Sequence, residues 1–537
     1  MRSLCGNMSA GSSVVGIVLT KALGIAASGH KETSQAATVL LEEGGNAFDA
    51  VLGAMCAACV CEPLLASLGG GGFLLTRAAG KQAQVFDFFT QTPSAMEGDL
   101  DFYPIQADFG TASQEFHIGL GSIAVPGVVA GLFAIHRAHC RLPLEKIIEP
   151  AVCLAREGVR INALQKFISE ILQPIIDATP EARALSRPML APGRLAEIGD
   201  VIANPALADT FEALARSGPK WFYQGEPGQQ LVRDCAANGG LITLADLSAY
   251  KAIQRRPVVV ESHGATISFN GPPSPGGCLI AFALSLLDRI HADVTWGSPE
   301  HAMKLARVIQ SASMVRQQHG LASGLDPETA EAILQAENLA HWQETLRSGG
   351  LVTGGTTHMS VADADGNLAS LTLSNGEGSG YVLPGSGIML NNMLGEEDLH
   401  PHGFHRLPAG IRLASMMTPA IVSRADGGTI ALGSSGSNRI RSAILQVLVN
   451  MLDFNLDLEA AVNAPRLHLE AQQLSVEKGF SDAALIAFED SWPGVEHWPE
   501  PNLFFGGVHA VERLANGEFR AAGDPRKGGA VAIAQSD

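Results

Sequence analysis

The sequence predicts a fold that combines α-helices with antiparallel β-structure, and three stretches carry the prediction. Ser34 to Glu43 has apolar residues at helical spacing and ends in Gly44-Gly45, a C-terminal stop signal. Asn46-Ala47-Phe48-Asp49-Ala50-Val51 then opens an Ala-rich helix behind a good N-cap residue. Residues 356–375 alternate and are rich in β-branched types on both sides of Asp365-Gly366, a hairpin-turn dipeptide. Two further elements fit the same picture. Arg441 to Leu448 reads as a helix, and Phe73-Leu74-Leu75 reads as a strand entered through Gly69-Gly70-Gly71-Gly72. No Gly-Lys-Ser/Thr follows those glycines, so they mark a close approach of two backbones rather than a phosphate loop.

The hairpin brings chemistry together. Centring the turn on Asp365 and Gly366 pairs Ala364 with Asn367 and Asp363 with Leu368. Carried outward, this register sets Thr356 opposite Asn375 and Ser374 beside Thr357. A Thr hydroxyl needs a base to become a nucleophile. The base can be its own α-amine, of pKa about 7.7–8.0, if the Thr begins a chain. Thr356 lies in mid-chain, so self-cleavage between Gly355 and Thr356 would have to come first. Gly354-Gly355 suits that step, because glycine tolerates the strained backbone that lets a hydroxyl reach the preceding carbonyl. Taken alone, the stretch also reads as an ordinary hairpin after a Gly turn.

Composition narrows the partners. The chain has 537 residues, long enough by length alone for about three or four domains, and a net charge of −18. That charge argues against nucleic acid or an anionic membrane as the main partner. The best apolar run, Val14 to Ala27, is interrupted by Lys21 and is too short to span a bilayer. It also lacks the order of a signal peptide, so residues 1–23 read as a leader without clear function and a cytoplasmic location is expected. Eight cysteines (5, 56, 59, 61, 140, 153, 235 and 278) make no disulfide framework in a chain this size. Cys56, Cys59 and Cys61 sit in an apolar run and are expected to be buried hydrophobes rather than metal ligands.

Other motifs run along the chain in a fixed order. They are Gly45-Asn46-Ala47 with Asp49-Ala50, Glu62-Pro63, the glycine run with Phe73, Val125-Pro126-Gly127-Val128, Asn204-Pro205, Gly239-Gly240-Leu241 and Pro272-Pro273-Ser274-Pro275-Gly276-Gly277. After the hairpin come Asn391-Asn392, Ser415-Met416-Met417-Thr418-Pro419, Gly433-Ser434-Ser435-Gly436 and Asp524-Pro525-Arg526. This set, with Gly-Thr-Thr-His-x-Ser-Val and Asp-Gly-Asn of the hairpin, resembles the γ-glutamyltranspeptidase family of N-terminal-nucleophile hydrolases. The likeness covers about residues 24–530.

The resemblance implies an α+β fold, a four-layer αββα sandwich. Residues 1–355 would form the large chain and 356–537 the small one, intertwined as one domain and cut between Gly355 and Thr356. Thr356 is then nucleophile and, through its new amine, base. Ser374 falls at the position of a hydroxyl that bonds the nucleophile, and Asn375 is a candidate substrate or amine ligand. Gly436-Ser437 stands where relatives have a Gly-Gly pair whose backbone N–H groups stabilise an oxyanion.

The departures concern the group that holds the glutamyl head. Phe89 occupies the place of an Arg that binds the α-carboxylate, and an aromatic ring cannot replace a bidentate cation. Ser415-Met416 keeps one of two clamp hydroxyls and turns the other into Met. Glu396 or Glu397 corresponds to the acid that holds the α-amine. Arg406, Arg412 and Arg439 are candidate replacement cations, Arg412 falling where relatives are often basic. The short stretch from Asp398 to Ser415 leaves no room for the lid of some relatives. His400, His402 and His405 lie in a Pro- and Gly-containing stretch that reads as a loop rather than a metal site. The chemistry needs neither metal nor cofactor.

The expected function is a self-processing γ-glutamyl hydrolase/transferase that cleaves glutathione-like amides through a Thr356 acyl-enzyme. The alternatives are an acylase with another acyl group, for example glutaryl, or a catalytically silent binding relative. The expected partners are a small-molecule amide and the two chains of one precursor. A homo-oligomer is left open.

Overall fold

A computed structural model describes residues 22–108, 113–191, 193–290, 294–344, 356–400, 402–470 and 472–536. Two antiparallel sheets lie face to face. The strands are β1 (Ala22–Ser28), β2 (Gly71–Arg77), β3 (Gln84–Asp87), β4 (Ile253–Arg255), β5 (Val258–Ser262) and β6 (Ala265–Phe269). They continue as β7 (Thr357–Asp363), β8 (Leu368–Ser374), β9 (Ala420–Arg424), β10 (Thr429–Ser435), β11 (Gly507–Arg513), β12 (Phe519–Gly523) and β13 (Ala530–Gln535). One sheet has the order β13-β1-β7-β8-β2-β3-β4 and the other β12-β11-β10-β9-β6-β5. Helices α1 (Lys31–Glu42) and α2 (Ala47–Cys61) cover the first sheet. Helices α3 (Gly276–Arg289) and α5 (Arg439–Leu452) cover the second, and α4 (Pro299–Gln318) packs on α3. The result is a four-layer αββα sandwich, as the resemblance implies.

The motifs account for the joints. Asn46 caps α2, accepting from the N–H groups of Phe48 and Asp49, while the Asp49 carboxylate accepts from the Asn46 N–H at 2.8 Å. The other face of Asp49 accepts the N–H groups of Arg141 and Leu142, so this capping box also ties α2 to a distant turn. The glycine run behaves as expected. A Cβ on Gly71 would lie 2.7 Å from the Thr90 nitrogen, and one on Gly72 would lie 2.6 Å from the Thr372 carbonyl oxygen. Asp524-Pro525-Arg526 is a buried ionic knot. Arg526 grips both Glu477 oxygens at 2.7 and 2.5 Å, and Asp524 pairs with Arg466 at 2.5 Å. Cys56, Cys59 and Cys61 are buried free thiols in α2. The leader boundary is corrected at one end, because Ala22 and Leu23 belong to β1.

Between the sheets the filling is partly polar. His358, fully buried, bridges Thr372 Oγ1 at 2.8 Å and Ser360 Oγ at 2.9 Å. Ser360 in turn donates to the His509 carbonyl of β11 at 3.1 Å, and Ser370 donates to the Leu432 carbonyl of β10 at 2.8 Å. These bonds cross from one sheet to the other and satisfy groups that would be costly to bury unpaired. Burial first, then the neighbouring His509, holds the His358 imidazole well below its ordinary pKa, so it sits neutral between its partners. Gly433 makes the space: any Cβ there would overlap the His358 ring.

Candidate active site

The hairpin forms, with its register one residue from the expected one. Thr357 pairs with Leu373 and Ala362 with Leu368, so the loop has three residues, Ala364-Asp365-Gly366. Asp363 accounts for the shift. Its carboxylate accepts the Asn367 N–H and side-chain amide, and its backbone N–H donates to the Asn367 carbonyl, closing the loop one residue farther out. Gly366, at φ +91°, supplies the left-handed residue that a three-residue loop requires. Continuing this ladder sets Ser374, not Asn375, across from Thr356.

The alternation of β7 decides which way each Thr points. Even-numbered residues such as His358 and Ser360 face the second sheet, and odd-numbered Met359 and Val361 pack on the α2 side. Thr357 accordingly bonds the Glu62 carboxylate at the end of α2, at 3.1 Å. Burial above all pushes the Glu62 carboxyl up, against the favourable influence of His30, Thr357 and Lys527. Thr356 and Ser374 face the opposite way, into a cleft with about 500 Å³ of empty space including its open mouth.

That cleft collects most of the residues singled out from the sequence. Phe89, Thr356, Ser374, Glu396, Ser415, Met416 and Ser437 all line it. Asn375 does not. Its amide is fully buried and turned to the Leu390 carbonyl at 3.5 Å. Gly436 lies just behind Ser437, at φ +114° before the N-terminus of α5, and Gly355 falls outside the described residues. Ser437 itself has φ +53°, a conformation that costs a side chain of this kind about 1–2 kcal/mol. Its hydroxyl donates a short hydrogen bond to Asp398, which offsets part of that cost.

The clamp residues have a different fate. Phe89 is buried and stacks on Phe73 with centroids 5.4 Å apart, forming an apolar wall of the cleft. Arg412 lies behind that wall. It donates to the Phe89 carbonyl, to the Lys251 carbonyl at 2.7 Å and to Tyr250, over whose ring it stacks, and it pairs with Asp87 at 3.6 Å. Arg439 is directed to the Phe504 carbonyl and ring. Neither is among the residues that line the cleft, and Arg406 is not either. The Ser415 hydroxyl accepts the Met417 N–H at 3.1 Å, and Met416 adds a thioether to the wall. Of the two acids considered for the amine, Glu396 points in and Glu397 is exposed. His400 and His405 face backbone carbonyls of Met393 and Gly121.

Three charged groups at the site have no counterpart among the sequence candidates. Glu377 lies against Glu396. Burial first, then Glu377 and Asp398, pushes the Glu396 carboxyl well above its ordinary range. Asp398, in a short 3-10 turn (Glu397–Leu399), is pushed up to about 6, chiefly by burial. Arg316, from the last turn of α4, is the one cation lining the cleft among the described residues. Glu377 stands two residues past Asn375 and was within reach of pattern reading. Arg316 is supplied by a helix with no motif of its own.

The family model for gamma-glutamyltranspeptidase matches residues 33–534. The chain is 30% identical to the glutathione hydrolase proenzyme of Escherichia coli (strain K12) over 94% of its length and 90% of the relative's. It is 29% identical to the acylase ACY 1 proenzyme of Pseudomonas sp. (strain V22), with 87% of each covered. Its fold is similar to the crystal structure of cephalosporin acylase from Bacillus halodurans, with a TM-score of 0.84 at 23% identity, covering 98% of this chain and 99% of that one. The chain therefore belongs to the gamma-glutamyltranspeptidase family, as an N-terminal-nucleophile hydrolase acting on amide bonds.

Proposed function

We propose that the chain is a self-processing acylase whose acyl group is not γ-glutamyl. One observation carries this reading: at the position of the family's carboxylate-binding Arg the cleft wall is Phe89, beside Met416, and Arg412 is spent behind it, so the glutamyl clamp of relatives is not kept. The amine end is weakened as well, because burial and the neighbouring Glu377 and Asp398 disfavour the ionised form of Glu396. The acylase relative, matched nearly as broadly as the glutathione hydrolase, supports the same reading.

The chemistry begins with processing. The Thr356 hydroxyl attacks the Gly355 carbonyl carbon, and the Gly355–Thr356 amide becomes an ester with a free amine on Thr356. Water hydrolyses the ester. The freed amine then takes the hydroxyl proton as Thr356 Oγ1 attacks the substrate amide carbonyl, and it passes that proton to the departing amine. Ser374 holds the hydroxyl from across the hairpin. The N–H groups at Gly436 and Ser437 receive the developing oxyanion. Water attacks the acyl-enzyme and releases the acid.

The test is a panel of p-nitroanilides at equal chain length. Glutaryl differs from γ-glutamyl only in lacking the α-amine. The expected kcat/KM is at least about tenfold higher for glutaryl, the size of one discriminating polar contact. Phe89→Arg is expected to raise kcat/KM for γ-glutamyl anilide by giving its α-carboxylate a second cation. Preferred turnover of γ-glutamyl anilide by the unaltered protein would establish the glutathione hydrolase reading instead.

A further inference from the structure

From the cleft geometry we infer that Arg316 receives a carboxylate at the far end of the acyl chain, making ω-carboxylated acyl amides the substrate class. The inference rests on the acylase reading and adds the chemistry of the acyl tail. Arg316 reaches the cleft from the last turn of α4, on the other sheet's helical layer from the hairpin that carries Thr356. Among the described residues its one ion pair is Nη1 to Glu470 Oε1 at 3.3 Å, and its buried Nε has no hydrogen-bond partner. A guanidinium with that much unused donor capacity is suited to a two-pronged hold on a carboxylate.

Two further guanidiniums lie near Arg316. Arg316 shares its neighbourhood with Arg439 and Arg441 from the first turn of α5, against the carboxylates of Glu470 and Asp398. Burial lowers Arg439 and Arg441 only to about 10, so both stay charged at neutral pH. Burial disfavours ionised Glu470, but its bond to His468 and the nearby Arg441 and Arg316 hold it below the ordinary range. Three guanidiniums thus stand against Glu470, Asp398 and, near Arg439, Glu377. Arg441 adds unused donors, since among the described residues its buried Nε and Nη2 have no hydrogen-bond partner. Arg316 itself disfavours an ammonium beside the bound carboxylate, which a glutamyl tail carries and a glutaryl tail lacks. Phe89, Met393 and Met416 give the same cleft an apolar lining suited to methylene groups.

Binding of free acids reads the tail without turnover. Calorimetry on the purified protein should show glutarate binding roughly 10- to 100-fold tighter than pentanoate of the same length, and Arg316→Gln should abolish that difference. Arg316→Lys, which keeps the charge and loses the fork, should retain part of it. The parallel readout is kcat/KM for glutaryl against pentanoyl anilide, expected to favour glutaryl in the unaltered protein and to level in Arg316→Gln. Equal binding of glutarate and pentanoate by the unaltered protein overturns the inference, whatever the variants do. So does an Arg316→Gln protein, folded by circular dichroism, that still prefers glutarate. Preference for γ-glutamyl over glutaryl, with both dependent on Arg316, would overturn the acylase reading and leave the assignment of Arg316 standing.

Discussion

Asp398 stands between the two ends of the cleft, bonded to Ser437 on one side and facing Arg316 on the other. Around it lie Arg316, Arg439 and Glu470, with Glu396 and then Glu377 on the opposite wall. Burial pushes it up to about 6, so it is largely ionised at pH 7.5 and becomes neutral as pH falls through that value. An ionised Asp398 competes with a ligand carboxylate for Arg316, and a neutral one does not. Asp398→Asn keeps an acceptor for Ser437 and removes the charge. It should tighten glutarate binding several-fold at about pH 7.5 and flatten the dependence of affinity on pH between about 7.5 and 6. An unchanged affinity in calorimetry would show that Asp398 and the ligand do not share Arg316. At this scale the sequence revealed what motifs carry. Thr356, Ser374, Glu396, Ser415, Met416, Phe89 and Ser437 could be named in advance because each sits at a marked position, and all line one cleft. Arg316 could not, because a helix brings it from outside every motif, and Arg412 misled because its position is basic while its partners are Asp87 and Tyr250.

The hairpin shows how far local rules reach. Strand type, turn position and the glycine in the turn were readable from alternation and from Asp365-Gly366. The register was not, since it depends on Asp363 accepting two bonds from Asn367, and that adds a third loop residue. One residue of slip exchanges the partner of Thr356, so the difference is chemical as well as geometric. The interface between the two sheets is similarly set by a pair of elements. His358 on β7 has room only because β10 carries Gly433 opposite it. Gly433→Ala would push a methyl into a neutral, fully hydrogen-bonded imidazole. It should lower stability by about 1–3 kcal/mol, read as an earlier urea midpoint with little change in slope. An unaltered midpoint would mean that the sheets can part locally at no cost, contrary to the close fit of His358 against Thr372 and Ser360.

Cutting the chain before Thr356 would leave two pieces that no simple motion separates. Strands β7 and β8 from the later segment lie between β1 and β2 of the earlier one, and β13 closes the edge beyond β1. The second sheet repeats the pattern, with β5 and β6 joined to β9 through the β6–β9 ladder. The earlier and later segments therefore share both hydrogen-bonded sheets and the core between them. Intact mass of the purified protein should show two chains, the smaller beginning Thr356-Thr357-His358. Under native conditions these should elute together, and they should part only in denaturant. Thr356→Ala removes the attacking hydroxyl and should give one full-length chain with the same native elution and no amidase activity. If the unaltered protein instead stays as a single chain, Thr356 never gains its amine. The cleft would then lack its base, and an acyl-enzyme route through Thr356 would be ruled out even though Ser374, Ser437 and Arg316 surround it.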